Sequence, residues 1–294
     1  MISIVITSFR EPGTIGKAIE SFIRQKIKEK YELIVSAPDK ATLDIAKKYT
    51  KKNKIIKIFK DPGKGKSYAI NLLLPKLKGR IIILSDGDVY VSENSVNDIL
   101  EIFKDKKMGC TTGRPVSLNP KSSMFGYWSH LLCDAGAHPA RLRRAKKRQF
   151  LECSGYLWAF RKGIINKFPT DVAEDTIVPI LFWLKGCKIG YANKALVYVK
   201  YPTNLSEFIN QKVRTAKSHE TLNKYALRIP RMKSFWNEIK EGWTALFYPK
   251  SLKEACWTFL LFLVRLYIWL VAFYEIKLKR QAYKDAWKRV ESTK

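Results

Sequence analysis

The chain has 294 residues, enough to bury a full hydrophobic core as one large domain or two smaller ones. Its 46% hydrophobic and 13% aromatic residues exclude an intrinsically disordered chain. The formal net charge of +29 predicts a polyanionic partner, which is a nucleic acid, an anionic membrane surface or a phosphate-bearing substrate.

The five cysteines are widely spaced, and no two of them form a C-x-x-C pair. This pattern argues against a disulfide framework or a zinc site and favours reduced thiols in a cytosolic setting. The three histidines add no metal-ligand spacing. Because a strand is predicted almost from Met1, we expect no signal or transit peptide and a catalytic part that stays in the cytoplasm.

The first part of the chain alternates strands with helices. The predicted strands span residues 2–7, 31–36, 55–59 and 81–84, and the predicted helices span residues 12–23, 41–49 and 68–77. This alternation is the signature of βαβ units and a mainly parallel sheet.

The second part is more mixed, with strands predicted at residues 110–118 and 151–160 and a helix at 176–185. Between the two strands, the run HPARLRRAKKRQ places six basic residues between Arg141 and Arg148. A solvated helix face or loop and a contact with an anionic surface both remain open for this run.

The stretch IIILSDGDVY, residues 81–90, joins an apolar strand to two aspartates separated by one glycine. Asp86 and Asp88 fall at the carboxyl end of that strand, the edge at which open α/β sheets bind ligands. Two carboxylates there can bind Mg2+ or Mn2+, and Gly87 lets the backbone approach a ligand closely. Asp-Gly is also ordinary turn chemistry, so this stretch alone leaves a metal site and a turn open.

Two further stretches carry polar residues at predicted helix starts. The turn DPGKGKS, residues 61–67, lacks the glycine that a nucleotide-triphosphate loop needs at Lys60, yet its backbone N–H groups and Lys66 can meet a pyrophosphate. In VAEDTIVP, Asp175 precedes a predicted helix. Two interpretations remain open. Either Glu174 and Asp175 both cap this helix, or Asp175 is a general base that faces a cleft.

Past residue 225 the sequence changes character. Aromatic and aliphatic residues between Phe235 and Tyr248 are interspersed with lysine and glutamate, which is typical of helices in a membrane interface. The 19 residues from Cys256 to Tyr274 are apolar apart from Arg265, and as a helix they would reach about 28 Å, close to the bilayer hydrocarbon thickness of about 30 Å. Both flanks are basic, so charge does not orient the segment.

Arg265 at the centre of a membrane segment would cost about 2.5–3.5 kcal/mol, which its apolar neighbours can offset. We therefore favour membrane attachment, either spanning the bilayer or lying in its plane. A buried core helix is the alternative, because a segment that is apolar all round can also be buried in protein.

Taken together, the motifs resemble family-two glycosyltransferases with the GT-A fold. The resemblance covers residues 1–220 or so, and its motifs are ISIVITSFRE, DPGKGKSYAIN, ILSDGDV, SGYLWAFRKG, AEDT and QKVRT, in that order. No single motif is decisive, but the ordered set is specific.

The resemblance implies a role for each matching residue at the donor site. Thr7, Phe9 and Glu11 would line the pocket of the nucleotide base and ribose. Lys66 would lie near the diphosphate, Asp86 close to the ribose and diphosphate, and Asp88 would bind the metal directly, with Asp86 beside it.

The same resemblance implies roles further along the chain. Asp175 matches the aspartate that activates the acceptor, while Gln211 and Arg214 match the Q-x-x-R-W motif of the processive branch. At positions i and i+3 of a helix these two side chains share a face, and Arg214 could make a bidentate contact with the donor diphosphate.

Three features depart from the family pattern. SAPDK replaces the Asp-Asp-Gly that follows the second strand in many members, so Asp39 is the base-binding candidate by position only. Thr215 stands where the motif has tryptophan, which weakens a claim of processivity. One apolar segment cannot build a multi-helix export channel, so we expect transfer of one or a few sugars.

We therefore predict an α/β protein whose residues 1–225 form a GT-A domain, with a Rossmann-like, mixed and mainly parallel sheet flanked by helices. Residues 226–294 would form interfacial helices, one apolar membrane segment at about 256–274 and a basic tail. The catalytic domain would lie on the cytoplasmic face of the cell membrane.

The predicted activity is metal-dependent, inverting transfer from a UDP- or GDP-type sugar donor to a polyprenyl phosphate or a lipid-linked glycan. If the acceptor is a lipid phosphate, the run from Arg141 to Arg148 would help to dock it on the anionic membrane. Two alternatives remain. A nucleic-acid-binding protein would explain the charge but has no reading motif here, so no nucleic acid is expected. An inactive membrane adaptor of the same fold is disfavoured by the intact acidic residues.

Overall fold

The structure is a computed structural model and describes residues 1–225, 231–279 and 291–293. Within those residues it contains an eight-stranded mixed sheet flanked by helices, which confirms the predicted fold class. The strands are β1 (Ile2–Thr7), β2 (Tyr31–Ala37), β3 (Ile56–Lys60), β4 (Ile81–Asp86), β5 (Tyr90–Val91), β6 (Met108–Ser117), β7 (Leu157–Arg161) and β8 (Lys188–Val199).

The α-helices in the described part of the chain follow the same order. They are α1 (Ile15–Ile23), α2 (Lys40–Lys52), α3 (Lys66–Leu73), α4 (Ser95–Ile102), α5 (Met124–Leu131), α6 (His138–Lys146), α7 (Glu174–Leu184), α8 (Leu205–Thr221), α9 (Phe235–Gly242) and α10 (Leu252–Phe273). A π-helical segment, Leu132–Ala137, joins α5 to α6, and a 3-10 helix, Trp243–Phe247, follows α9.

The strand order is β3-β2-β1-β4-β7-β6-β8-β5. The first four strands in this order are parallel, as the βαβ pattern predicts, and β7 is antiparallel to both of its neighbours. Thr7 at the end of β1 lies opposite Asp86 at the end of β4. The carboxyl ends of the two central strands therefore meet at one edge of the sheet.

The aliphatic runs of the central strands explain this arrangement. Val5 and Leu84 pack into one hydrophobic cluster, while Ile4, Ile6 and Ile83 pack into the other, on the opposite face of the sheet. Because successive side chains of a strand point to opposite faces, only strands that are apolar at nearly every position can occupy the centre.

Two sequence predictions need correction. The helix predicted at residues 68–77 begins at Lys66 and tightens into a 3-10 turn, Leu74–Lys76, at its end. The strand predicted at 151–160 was wrong for residues 151–156, because only Leu157–Arg161 pairs in the sheet. Residues 151–154 are buried but irregular, and Glu152 and Gly155 accept hydrogen bonds from Met232 and Lys66, which lie outside the sheet.

The basic run from Arg141 to Arg148 begins on helix α6. Arg141 turns inward, is 3% exposed and donates a hydrogen bond to the Glu152 carbonyl. At least this residue is therefore part of the interior. Contact of the remaining basic residues with an anionic surface stays a prediction.

The C-terminal helix α10 packs one face against α5 and α8. With its π-helical extension, Leu252–Leu278, it is long and apolar enough to cross a membrane by length and composition. Only 28% of its most apolar stretch is buried in the structure. That fraction is lower than a core helix requires, so α10 presents most of its apolar surface outward.

Arg265, at the centre of the apolar run, is paired. Its Nε and Nη2 donate to the two carboxylate oxygens of Glu238 in α9 at 2.5 and 2.6 Å, and Trp269 Nε1 donates to the same carboxylate at 2.8 Å. The predicted domain boundary at 225 adjoins residues 226–230, which lie outside the described residues, as does most of the predicted basic tail.

Candidate active site

The acidic pair lies where the sequence predicts, at the carboxyl end of β4. Asp86 is the last residue of the strand, and its Oδ1 accepts hydrogen bonds from Lys66 Nζ at 2.6 Å and from Thr7 Oγ1 at 3.3 Å. By contrast, no side chain in the part of the chain that the structure describes donates a hydrogen bond to Asp88. The two aspartates therefore differ, since Asp86 is held by its neighbours and Asp88 is available to a ligand.

Lys66 is the buried centre of the site. Besides Asp86, its Nζ contacts the Glu174 carboxylate at 2.9 Å and the Gly155 carbonyl at 3.3 Å. Burial by itself lowers the pKa of Lys66, but the charges of Asp86 and Glu174 outweigh that effect and raise it above its ordinary value. One ammonium group thus joins the segments that carry the lysine, aspartate-pair, Ser-Gly-Tyr and Glu-Asp motifs.

Asp175 lies in the first turn of α7. The N-cap residue is Ala173, and it makes no side-chain capping bond. Glu174 instead pairs with Lys66, so it does not act as a cap, and Asp175 Oδ1 accepts a bond from Thr176 Oγ1 at 3.2 Å. A Cβ at Gly155 would come within 3.1 Å of Asp175 Oδ2, so the glycine leaves room for this carboxylate.

Asp175 carries a raised pKa. Burial is the larger cause and the adjacent charge of Glu174 is the next, and together they raise the pKa of Asp175 to about 6. A carboxylate with this pKa is ionised at neutral pH and is a stronger base than an exposed aspartate.

A third acidic side chain, Glu11, reaches the aspartate pair from the loop after β1. Burial and the charge of Asp88 raise the pKa of Glu11 to about 8, and burial and Asp86 raise that of Asp88 to about 7. Ser8 Oγ donates to Glu11 Oε2 at 2.6 Å and holds it in place. This crowding of negative charge is what a bound cation would relieve.

The described residues contain no ready-made group of three histidine, cysteine or acidic side chains arranged around a metal position. The pair Asp86 and Asp88 has the ligand chemistry that a hard divalent cation prefers, and metal binding there stays a prediction. Mg2+ is usually bound through one or two carboxylates, with water and substrate phosphates as its remaining ligands.

A small pocket of about 120 Å³ lies beside the donor-site residues predicted in the first half of the chain. Thr7 and Phe9 line this pocket, together with Pro38 and Asp61, which the sequence did not single out. Asp39 does not line it. The Asp39 carboxylate accepts bonds from the backbone N–H groups of Arg10 and Thr42, at 2.8 and 2.9 Å, and caps α2.

Gln211 and Arg214 lie on α8 and line the same large cavity as the acidic groups. Thr215, which stands at the position of the motif's tryptophan, also lines it and donates to the Gln211 carbonyl at 3.0 Å. In the described part of the chain, Arg214 has no ion-pair partner. Its guanidinium group is therefore free to bind an anion.

The cavity has a volume of about 2020 Å³ and extends from the aspartate pair to the C-terminal helices. It also contains Tyr156, Lys212 and Lys233, none of which the sequence singled out as a site residue. Tyr156 belongs to the quoted SGYLWAFRKG motif, whereas nothing in the local sequence marks the two lysines among 55 basic residues.

Known proteins resemble this chain in sequence. The model of the glycosyl transferase family 2 matches residues 3–168, more than half of the chain. A poly-beta-1,6-N-acetyl-D-glucosamine synthase of Staphylococcus aureus is 25% identical over 233 residues, covering 75% of this chain and 55% of that protein. An N-acetylglucosaminyltransferase of Azorhizobium caulinodans is 21% identical over 253 residues, covering 78% and 62%. The chain thus spans little more than half the length of these curated relatives.

Solved structures resemble it in fold. A mannosyltransferase from Pyrobaculum calidifontis in complex with GDP-Man and Mn2+ superposes with a TM-score of 0.69 at 14% identity, covering 95% of this chain and 88% of the other. Residues 1–349 of S. aureus TarS in complex with UDP-GlcNAc give a TM-score of 0.51 at 14% identity, covering 96% and 93%. At these identities the likeness shows the fold, and it confirms the predicted GT-A architecture.

Gly87 allows the aspartate pair to pack against the loop after β1. A Cβ at this position would lie 2.3 Å from Ser8 Oγ and 2.7 Å from Glu11 Oε2. We expect Gly87→Ala to lower the free energy of unfolding by about 1–3 kcal/mol, because the loop must shift. Gly13→Ala is the control, since a Cβ there meets nothing within 4 Å. Urea unfolding measures both variants, and equal stability of the two would contradict the close packing.

Proposed function

The chain belongs to glycosyl transferase family 2, and from this premise we propose that it transfers a sugar from a nucleotide-diphosphate sugar to an acceptor at a membrane surface. The observation that carries the proposal is the cavity of about 2020 Å³ in which the aspartate pair, Lys66 and Asp175 lie together. Ligand pockets commonly measure about 300–1,000 Å³, so this volume accommodates a donor and an acceptor.

The donor would lie along the edge formed by β1 and β4. The small pocket between Phe9, Pro38 and Asp61 would take the nucleotide base, and Arg214 would contact the diphosphate as a bidentate donor. Both curated relatives are named for N-acetylglucosamine, so UDP-GlcNAc is the first donor to test, and GDP-mannose is the second.

Asp88, with Asp86 and Glu11 beside it, would hold a divalent cation, Mg2+ or Mn2+. The raised pKa values of Asp88 and Glu11 support this assignment, because burial and then the neighbouring carboxylates disfavour their ionised forms, which a bound cation would stabilise. When bound, the cation would supply positive charge to the departing diphosphate. Asp86, already bonded to Lys66 and Thr7, would mainly orient the donor.

Asp175 would act as the general base. Its carboxylate would take the proton of the acceptor hydroxyl as the oxygen forms a bond to the anomeric carbon and the bond from that carbon to the diphosphate breaks. Attack from the side opposite the diphosphate inverts the configuration. The product is the glycosylated acceptor, with a nucleoside diphosphate as the leaving group and the proton on Asp175.

The acceptor would be reached from a membrane. The exposed apolar face, defined here as the large apolar side chains of α9, the following 3-10 helix and α10, includes Trp243, Phe247 and Leu263, which are 60%, 78% and 49% exposed. Tryptophan and tyrosine at the edge of such a face favour the headgroup region, and the net charge of +29 favours anionic lipids.

We propose that α10 lies in the plane of the membrane. Its buried residues Thr258, Leu261, Ile268 and Ala272 extend along most of the helix and pack against the rest of the protein. A spanning orientation would remove these contacts or draw the polar surface of the neighbouring helices into lipid, which is costly. An in-plane helix keeps the packed face and immerses the other face.

Nucleotide-sugar binding tests the donor site. We expect UDP-GlcNAc or GDP-mannose to raise the unfolding temperature, and more so with Mn2+, since saturation at about 100 times Kd adds about 2.7 kcal/mol. Asp88→Asn should still fold, because it removes one of several crowded negative charges. It should lose the additional rise in unfolding temperature that Mn2+ causes in the wild type. Asp44→Asn, at an exposed pair on α2, is the control. Full Mn2+ stabilisation of Asp88→Asn would rule out the metal assignment.

Transfer kinetics test the base. Asp175→Asn should lower kcat by about 10²–10⁴-fold with donor affinity unchanged. Because the carboxylate must be ionised and burial raises its pKa to about 6, the wild-type rate should fall about tenfold per pH unit below pH 6 and level off above it. Asp171→Asn, at a surface pair with Lys224, should keep the wild-type rate. Near-normal transfer by Asp175→Asn would reject the assignment.

Vesicle binding tests the exposed apolar face. The double variant Phe247→Ala, Leu263→Ala should bind anionic vesicles at least about tenfold more weakly, since each side chain contributes about 1–2 kcal/mol on immersion. Leu184→Ala, at another exposed apolar residue on α7, should bind normally. Unchanged vesicle binding would reject a membrane contact through this face. A lipid-free dimer in sedimentation that the double variant abolishes would show instead that another copy of the chain covers it.

A further inference from the structure

Two lysines that line the cavity are not held in ion pairs within the described part of the chain. Lys212 on α8 and Lys233 just before α9 both line it, and among the described residues neither forms an ion pair with a carboxylate. Lys212 Nζ lies 5.6 Å from the centroid of the Phe208 ring. Arg265 of the same cavity pairs with Glu238. The two ammonium groups, like the Arg214 guanidinium, therefore remain available to an anion.

Lys212 is kept in an unfavourable environment. Burial, followed by the positive charges of Arg265 and Lys233, lowers its pKa to about 8. Lys212 is partly buried, and binding to an anion would stabilise its charged form. The charge of Lys233 also acts on Asp175 and lowers its pKa, in opposition to burial and Glu174.

The cavity opens on the exposed apolar face. Five large apolar side chains belong to both, and they are Ile239, Trp243, Leu246, Phe262 and Leu266. A lipid embedded in a membrane under this face could therefore place its headgroup in the cavity while its chain stays among apolar side chains. The two lysines line the same cavity as these apolar side chains and Asp175.

We propose that Lys212 and Lys233 form an anion-binding subsite for the phosphate of a lipid-linked acceptor, which enters from the exposed apolar face. This inference rests on the proposed function and specifies its substrate class. The phosphate would lie between the apolar chain and the reacting hydroxyl, so the subsite would position the headgroup with its hydroxyl at Asp175. Arg214 would remain with the donor diphosphate.

Binding of farnesyl phosphate to the full chain tests the subsite, with Mn2+ and UDP present. The wild type should bind farnesyl phosphate more tightly than farnesol, the neutral alcohol, and more tightly than inorganic phosphate. Lys212→Met and Lys233→Met should each weaken farnesyl phosphate binding about tenfold or more, because a charged hydrogen bond is lost. Lys240→Met, an exposed charge on α9 outside the cavity, should bind like the wild type.

Stability provides a second readout. Lys212→Met should be at least as stable as the wild type, because burial and the neighbouring cations Arg265 and Lys233 disfavour the charge that it removes. A lower free energy of unfolding for this variant would mean that Lys212 has a structural role, and it would overturn the inference. So would unchanged binding of farnesyl phosphate by Lys212→Met.

The remaining outcomes separate this inference from the proposed function. Equal affinity of the wild type for inorganic phosphate and farnesyl phosphate would overturn the lipid part of the inference. Normal UDP binding together with equal farnesyl phosphate affinity in all variants would reject the subsite alone. Failure of the wild type to bind any nucleotide sugar would instead reject the proposed function.

Discussion

The site depends on one buried cation. Lys66 lies between the carboxylates of Asp86 and Glu174, at 2.6 and 2.9 Å, and is almost fully removed from solvent. Desolvating an ammonium group is expensive, so this arrangement persists only because two carboxylates and the Gly155 carbonyl replace its water shell. The two ion pairs of Lys66 therefore fix the end of β4, the start of α3 and the start of α7 relative to one another.

The charges that Lys66 does not neutralise give the site its chemistry. Glu11 and Asp88 form no ion pair within the described residues, and burial, followed by the neighbouring carboxylates, raises their pKa values. Asp175, on the other side, is buried beside Glu174 but does not share the ammonium group. Burial thus has two effects in this site. It leaves the acidic groups Glu11 and Asp88 together at a position suited to a cation, and it raises the pKa of Asp175 next to Glu174, which is paired with Lys66.

The central strands and the acidic pair could be predicted from the sequence because both are local signals. The aliphatic run before Asp86 and Asp88 predicts a buried strand that ends at the two aspartates, and the βαβ alternation predicts that this strand lies in a parallel sheet. The partner of Lys66 could not be predicted in this way, since Glu174 is more than 100 residues away. Strand β8 was missed because Gly190 and the polar Asn193 and Lys194 interrupt its pattern.

Local rules did not settle every role. Asp39 matches the donor motif by position only, and its carboxylate caps α2, while its contact with the nucleotide base stays a prediction. Conversely, Glu174 matched the rule for helix caps and instead forms an ion pair. The Arg265 charge, costly for an isolated membrane helix, is compensated by Glu238 from a helix that the sequence pattern alone could not pair with it.

The bridge at Lys66 is tested most directly by a double-mutant cycle of Lys66→Met and Glu174→Gln, measured as the free energy of unfolding. The two substitutions should interact, so that the double variant is less destabilised than the sum of the single variants by about 1–3 kcal/mol. The exposed pair of Lys104 and Glu101 provides the reference cycle, for which about 0.5 kcal/mol or less is expected. Additive costs at Lys66 and Glu174 would contradict the account.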